Sequence, residues 1–238
     1  MENSRKYQSD ARAVGGGEDA LQSRSMKTSS GSKNPLARPM TKQQRRVRYM
    51  AVTAMLAAAA TVLMYIEFPV PFMPPFIKMD VSDLPALIGS FAMGPLYGVV
   101  IALVKNLIHL LVSQSGMVGE LCNFLLSAMF VLPAGLIYQR WKTKKGAFAG
   151  ALTGAVVMAV LSLPINYFIV YPMYTMFMPM DAIIGAYQLI NPAIKDGDLL
   201  SCLVIFNMPF TFVKGLISCI ITFLIYKPLS PVIHGTRR

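Results

Sequence analysis

The chain has 238 residues, of which 55% are hydrophobic and only 14% are charged, with a mean hydropathy of +0.53. That composition excludes an ordinary soluble domain and points to a bilayer as solvent. The formal net charge of +11 does not mark a nucleic-acid surface, because residues 1–48 alone hold 11 Lys/Arg against 4 Asp/Glu.

Residues 1–46 form the first expected region, a disordered basic tail. Its Gly15-Gly-Gly17 and Ser29-Ser-Gly-Ser32 runs and scattered charges bury too little apolar surface to offset the entropy of ordering. No apolar run precedes Met50, so a cleavable leader is not expected. The run Lys42-Gln-Gln-Arg-Arg-Val-Arg48 abuts the first apolar segment, where basic residues mark the cytoplasmic side.

From residue 47 to 238 the pattern is that of an all-α integral membrane domain. Runs long enough to cross a core of about 30 Å lie near 49–66, 96–113, 119–139, 147–172 and 200–226. A sixth helix, second in chain order, is expected near 81–94. It is short or broken, opening at Val81-Ser-Asp-Leu-Pro-Ala86 and closing at Met93-Gly-Pro95, and must be shielded by its neighbours. Six crossings put both termini on one side. The tail, the turn Gln139-Arg-Trp-Lys-Thr-Lys-Lys145 and the segment from Lys227 together carry 18 Lys/Arg, whereas the opposite loops carry Lys78 and Lys195; both termini are therefore expected in the cytoplasm of a multi-pass cell-membrane protein.

Helix one is rich in alanine, at 51, 54 and 57–60. Ala54 and Ala58 form a small-xxx-small face that admits close approach of a partner helix, while packing inside the bundle is the alternative use of the same residues. The loop Glu67-Phe-Pro-Val-Pro-Phe-Met-Pro-Pro-Phe-Ile-Lys78 packs four prolines and three phenylalanines into twelve residues, which excludes regular helix. It reads equally as a lid or as a re-entrant connector. A second outer loop, 173–199, has turn signals at Asn191-Pro192 and Asp196-Gly-Asp198 and room for a short helix near Ala182–Ile190.

Enzyme chemistry finds little support. His109 and His234 have no metalloprotease spacing, and neither a GxxxxGK[ST] phosphate loop nor a GxSxG elbow occurs. Cys122, Cys202 and Cys219 lack metal-ligand spacing and read as small packing residues. What remains is polar side chains inside apolar helices, where an ionisable group costs about 2.5–3.5 kcal/mol or more and normally faces a cavity, a partner or a ligand. Glu120 and Asn123 share a face at i, i+3; Lys105, Asn106 and His109 lie on the third helix; Asn166 and Tyr167 lie on the fifth; Asn207, Thr211 and Lys214 form one stripe on the sixth. Amides supply donors and acceptors and an ammonium three donors, which suits a carbonyl-rich heterocycle. Ligand contact is expected of Asn166 and Lys214, and interhelical hydrogen bonding of Asn106, His109 and Asn207.

Seven stretches carry a resemblance: Phe68-Pro-Val-Pro-Phe-Met-Pro-Pro-Phe76, Asp80-Val-Ser-Asp-Leu-Pro85, Phe91-Ala-Met-Gly-Pro95, Val104-Lys-Asn-Leu-Ile-His109, Gly119-Glu-Leu-Cys-Asn-Phe124, Ile165-Asn-Tyr-Phe168 and Val213-Lys-Gly215. In that order they resemble the riboflavin-specific S components of energy-coupling-factor (ECF) vitamin transporters, from Arg46 to the C-terminus. The resemblance implies a six-helix, non-enzymatic binding protein with no cofactor, holding riboflavin as transported cargo in an outward-facing pocket closed by the loop between helices one and two. It implies flavin-ring contacts at Asn166 and Lys214; Thr211, Asn123, Glu120, Lys78, Phe76 and Asn207 are the further substrate-binding candidates. A coupling transmembrane subunit, docked on the Ala54/Ala58 face, and two ABC-type ATPase subunits are the implied partners, with no nucleic acid. One departure stands out: Thr211 occupies a position where the family often has Asn, and Asn207, one turn earlier, is the candidate to compensate. Alternative readings are an S component for another heterocyclic vitamin, or a stand-alone membrane facilitator.

Overall fold

The structure is a computed structural model that describes residues 41–113 and 116–234, with side chains to residue 225. Residues 1–40 of the expected tail lie outside the described residues, while 42–46, expected to be disordered, form the first turn of a helix because they continue directly into the first apolar run. Helix α1 spans Lys42–Tyr65 and opens on a reciprocal cap: Gln44 N donates to Thr41 Oγ1 at 3.2 Å while Thr41 N donates to Gln44 Oε1 at 3.0 Å, satisfying two donors that a helix start leaves free. The Pro-rich loop follows as a minimal antiparallel hairpin, β1 (Phe68–Pro69) with β2 (Lys78–Met79), in register Phe68 to Met79 and Pro69 to Lys78. Lys78 and Glu67 form an ion pair across its base.

Helix α2 (Asp83–Met93) and α3 (Pro95–His109, continued by a 3-10 turn to Val112) are separated at Gly94, whose φ of +119° is open only to glycine, and at Pro95. Eleven residues reach only about 16 Å, so α2 falls short of a bilayer. Every residue from Asp83 to Phe91 is buried, which agrees with the expectation of a short helix shielded by its neighbours.

Helices α4 (Val118–Arg140) and α5 (Lys144–Ile165) pack backbone to backbone. An added Cβ at Gly150 would lie 2.6 Å from the Ala134 carbonyl oxygen, and one at Gly154 2.4 Å from that of Phe130, so only glycine permits this approach. Past Ile165 the rod continues as a π-helical turn, Asn166–Val170, and a last turn, α6 (Tyr171–Tyr174). Helix α7 (Met180–Gln188) lies in the following loop, where a short helix is expected. Helix α8 (Leu199–Cys202) leads through a second π turn, Leu203–Asn207, into α9 (Met208–His234).

Both π turns end two residues before a proline, Pro172 and Pro209. A proline ring clashes with the carbonyl four residues earlier, here that of Phe168 or Ile205, and widening the turn around that carbonyl relieves the clash.

Five helical rods among the described residues are long and apolar enough to cross a membrane: Lys42–Tyr65, Pro95–Val112, Val118–Arg140, Lys144–Tyr174 and Leu199–Ile225. Their buried faces form two cores. One gathers Ala57, Ala60, Leu87, Phe91, Ile101, Phe130 and Met158. The other gathers Val170, Tyr171, Ile183, Ile184, Tyr187 and Leu203 beneath α7, with Phe76 of the hairpin loop packed against it.

Candidate functional site

The polar side chains converge where the two cores meet. On α4, Cys122 packs into the α7 core and Phe124 into the other; on the last rod Phe206 and Phe212 divide the same way. Asn123, Asn207, Thr211 and Lys214 fall at or near that boundary.

At its centre are two lysines and two aspartates. Lys214 Nζ on α9 lies 2.8 Å from Asp80 Oδ2, 3.1 Å from Asn123 Oδ1 and 3.8 Å from Asp83 Oδ2. Lys105 Nζ on α3 donates to Asp83 Oδ1 and to Ser82 Oγ, each at 2.6 Å. Ser127 Oγ on α4 donates to Asp83 Oδ1. Asp80 Oδ1 accepts from Ser82 N at 2.8 Å and from the Ser82 hydroxyl. The four charges cancel, which lets them persist in an interior where an unpaired charge is prohibitive. Asp80 lies in the loop just before α2; burial alone would raise its carboxyl, but the ammonium groups of Lys214 and then Lys105 outweigh burial and hold it below the usual carboxylate range.

The two ion pairs differ in exposure. Lys105 and Asp83 retain 0% and 2% of their side-chain surface, against 11% and 9% for Lys214 and Asp80. An ammonium has three donors. For Lys214, Asp80 and Asn123 take two, and the third is the one a ligand can use.

The remaining candidates group around this centre. Asn166, buried at the start of the first π turn, donates from Nδ2 to Ser162 O at 2.7 Å, and Cys122 Sγ lies 3.6 Å from its Oδ1. A thiol is a weak donor, so the Oδ1 lone pairs are lightly used. Asn207 closes a buried ring with two tyrosines: Tyr187 Oη donates to its Oδ1 at 2.7 Å, its Nδ2 donates to Tyr171 Oη at 3.1 Å, and the two hydroxyls meet. Burial pushes the Tyr187 hydroxyl well above its ordinary range, so it remains a donor. Phe76 packs against Tyr187 of this ring edge-on, with centroids 6.0 Å apart, and against Tyr174 at 6.3 Å. Thr211 is buried at 5% exposure.

Other candidates sit apart from Lys214. Glu120 accepts from Ser113 Oγ at 2.8 Å and meets His109 Nδ1 at 2.9 Å. Lys78 pairs with Glu67 at the hairpin base. Interhelical bonding holds for His109 and Asn207 but not for Asn106, whose Nδ2 bonds Ala102 O of its own helix at 2.7 Å while Oδ1 has no partner. The amide is four residues from a carbonyl on the same face, and that local bond wins. Ala54 and Ala58 are exposed, whereas Ala57 and Ala60 are buried. A shallow recess at Asn191, Lys195 and Asp198 shares no residue with this network. Among the described residues no group of three His, Cys, Asp or Glu converges as metal ligands.

Asp80, Ser82, Asp83 and Ser127 are the residues that the sequence reading did not assign to the site. Asp80 and Asp83 read as the ragged start of a broken helix. The available signal is charge balance: two lysines inside apolar helices require acids at similar depth, and Asp80 and Asp83 stand at the opening of an apolar helix.

The profile of the family described as "ECF transporter, substrate-specific component" matches residues 48–226. This chain belongs to that family. As an S component it is a transport protein and not an enzyme, and its apolar rods make it a multi-pass membrane protein. It is similar to riboflavin transporter RibU of Staphylococcus aureus (strain TCH60), 35% identical over 74% of this chain and 87% of that protein. It is also similar to riboflavin transporter FmnP of Bacillus subtilis (strain 168), 32% identical over 81% and 97%. A solved S component of a bacterial ECF transporter superposes with a TM-score of 0.63 at 31% identity, covering 79% of this chain and 98% of that one.

Proposed function

We propose that this S component captures riboflavin from outside the cell and releases it inward as the substrate-binding subunit of an ATP-driven ECF importer. The observation that carries the reading is the pair of relatives named as riboflavin transporters, each matching about three quarters or more of this chain. The site chemistry agrees. The flavin ring presents carbonyl oxygens and ring nitrogens, which the free donor of Lys214 and the amide of Asn166 complement, and the aromatic faces of Phe76 and Tyr174 lie on the loop side. Riboflavin is cargo and not a cofactor.

In this reading α2 with the five long rods makes six membrane helices, both termini face the cytoplasm, and the hairpin of residues 67–79 covers the pocket. Asn123 and Thr211 complete the pocket floor, Asn207 orders its wall through the two tyrosines, and Glu120 and Lys78 hold its rim. A coupling transmembrane subunit docks on the exposed Ala54/Ala58 face, and two ABC-type ATPase subunits supply ATP hydrolysis. Protein purified without partners co-purifies with a yellow ligand and quenches the fluorescence of added riboflavin. Colourless protein that leaves riboflavin fluorescence unchanged while binding another heterocyclic vitamin would transfer the function to that vitamin.

A further inference from the structure

From the division of its carboxylate between two parts of the fold, we infer that Asp80 is a positioning residue that aims Lys214 at the ligand and couples that aim to the hairpin loop. The inference rests on the riboflavin reading above. Asp80 immediately follows β2, the second strand of the hairpin. Its Oδ1 is committed to the start of α2 through the Ser82 amide and hydroxyl, and its Oδ2 is aimed at Lys214 Nζ, 134 residues later in the chain. A lysine side chain is long and freely rotating, so an ammonium held at one point only would point its donors in many directions. Asp80 and Asn123 hold Nζ from two sides, which leaves one N–H with a defined direction.

The other acid does not share this task. Asp83 Oδ1 is occupied by Lys105 and Ser127, and its Oδ2 stands off at 3.8 Å from Lys214. Asp80 sits at the junction where β2 of the hairpin passes into α2, so the Lys214 donor is aimed from the segment that joins the two.

The test uses the full chain purified in detergent, with Asp80→Asn, Lys214→Met and the double variant, and two readouts: ligand-free thermal unfolding, and riboflavin affinity by fluorescence quenching. An ion pair predicts that each single change, by stranding one buried charge, lowers the melting temperature more than the double change does. Positioning predicts that Asp80→Asn weakens riboflavin about tenfold, the equivalent of one charge-assisted hydrogen bond. It also predicts a further loss of less than about twofold when Asp80→Asn is added to Lys214→Met, as expected for residues acting through one contact. The double variant then regains stability without regaining affinity, which a purely structural role would not produce. Equal losses of affinity in both backgrounds, unchanged affinity in Asp80→Asn, or additive thermal effects would overturn the inference. If the parent itself fails to bind riboflavin, the functional reading falls, and the ligand-free thermal cycle still decides whether Asp80 and Lys214 act as a pair.

Discussion

Replacing Lys105 with methionine tests the division of the charge network into a structural half and a binding half. Lys105 is wholly buried, and its ammonium reaches Asp83 and Ser82 at 2.6 Å. Methionine fills nearly the same volume, so packing is kept and charge is lost. Asp83, at 2% exposure, is left with the Ser127 hydroxyl and a lysine 3.8 Å away. Breaking one side of a buried pair costs about 3–5 kcal/mol. For a body of this size each kcal/mol moves the melting temperature by roughly 2–4 °C, so the ligand-free midpoint falls by about 6–20 °C. Adding Asp83→Asn removes the stranded charge and recovers most of the loss. Riboflavin affinity of the protein that remains folded stays within about tenfold of the parent, since Lys214 keeps Asp80 and Asn123. Thermal unfolding in detergent, followed by flavin titration below the transition, reads both quantities. A Lys105→Met protein melting within about 2 °C of the parent would refute the reasoning, because the supposed uncompensated carboxylate would then have found water or another partner.

Lys214→Ala and Asn166→Ala each leave flavin polar atoms unpaired in a desolvated pocket and weaken binding by about 1–3 kcal/mol, whereas Cys219→Ala, in the other core, leaves affinity within a few-fold; equal affinities across the three in a quenching titration would reject the assigned site. Ala58→Trp, on the exposed face of α1, abolishes co-purification with the coupling subunit and uptake while flavin affinity in detergent stays close to the parent; loss of flavin with partners still bound would place that face inside the core. Gly154→Val forces a Cβ to within 2.4 Å of the Phe130 carbonyl oxygen and lowers stability by about 1–3 kcal/mol or more through overpacking, while Gly185→Ala, with nothing within 4 Å, does not lower it; thermal melts of the pair compare a fixed backbone oxygen with open space.

The positions of the rods were legible in the sequence because bilayer thickness sets a length, and apolar runs of that length are visible without any tertiary information. The break at Gly94-Pro95, the short buried helix before it and the helix in the loop of residues 173–199 were legible for a similar reason: glycine, proline and polar punctuation act on the local backbone. Asn166 and Lys214 stood out because a polar group in an apolar run is anomalous wherever its partner lies. What those groups touch was decided only by the fold. Asp80 comes to Lys214 across 134 residues and Ser127 to Asp83 across 44, and no local pattern records such a meeting. The π turns were equally hidden: Pro172 and Pro209 follow a π turn whereas Pro133 and Pro164 sit inside plain α-helix, so a proline in the sequence does not by itself tell where the helix widens to clear its ring. Asn106 shows the opposite case, where a bond expected between helices was made within one, because the carbonyl four residues back lies on the same helix face.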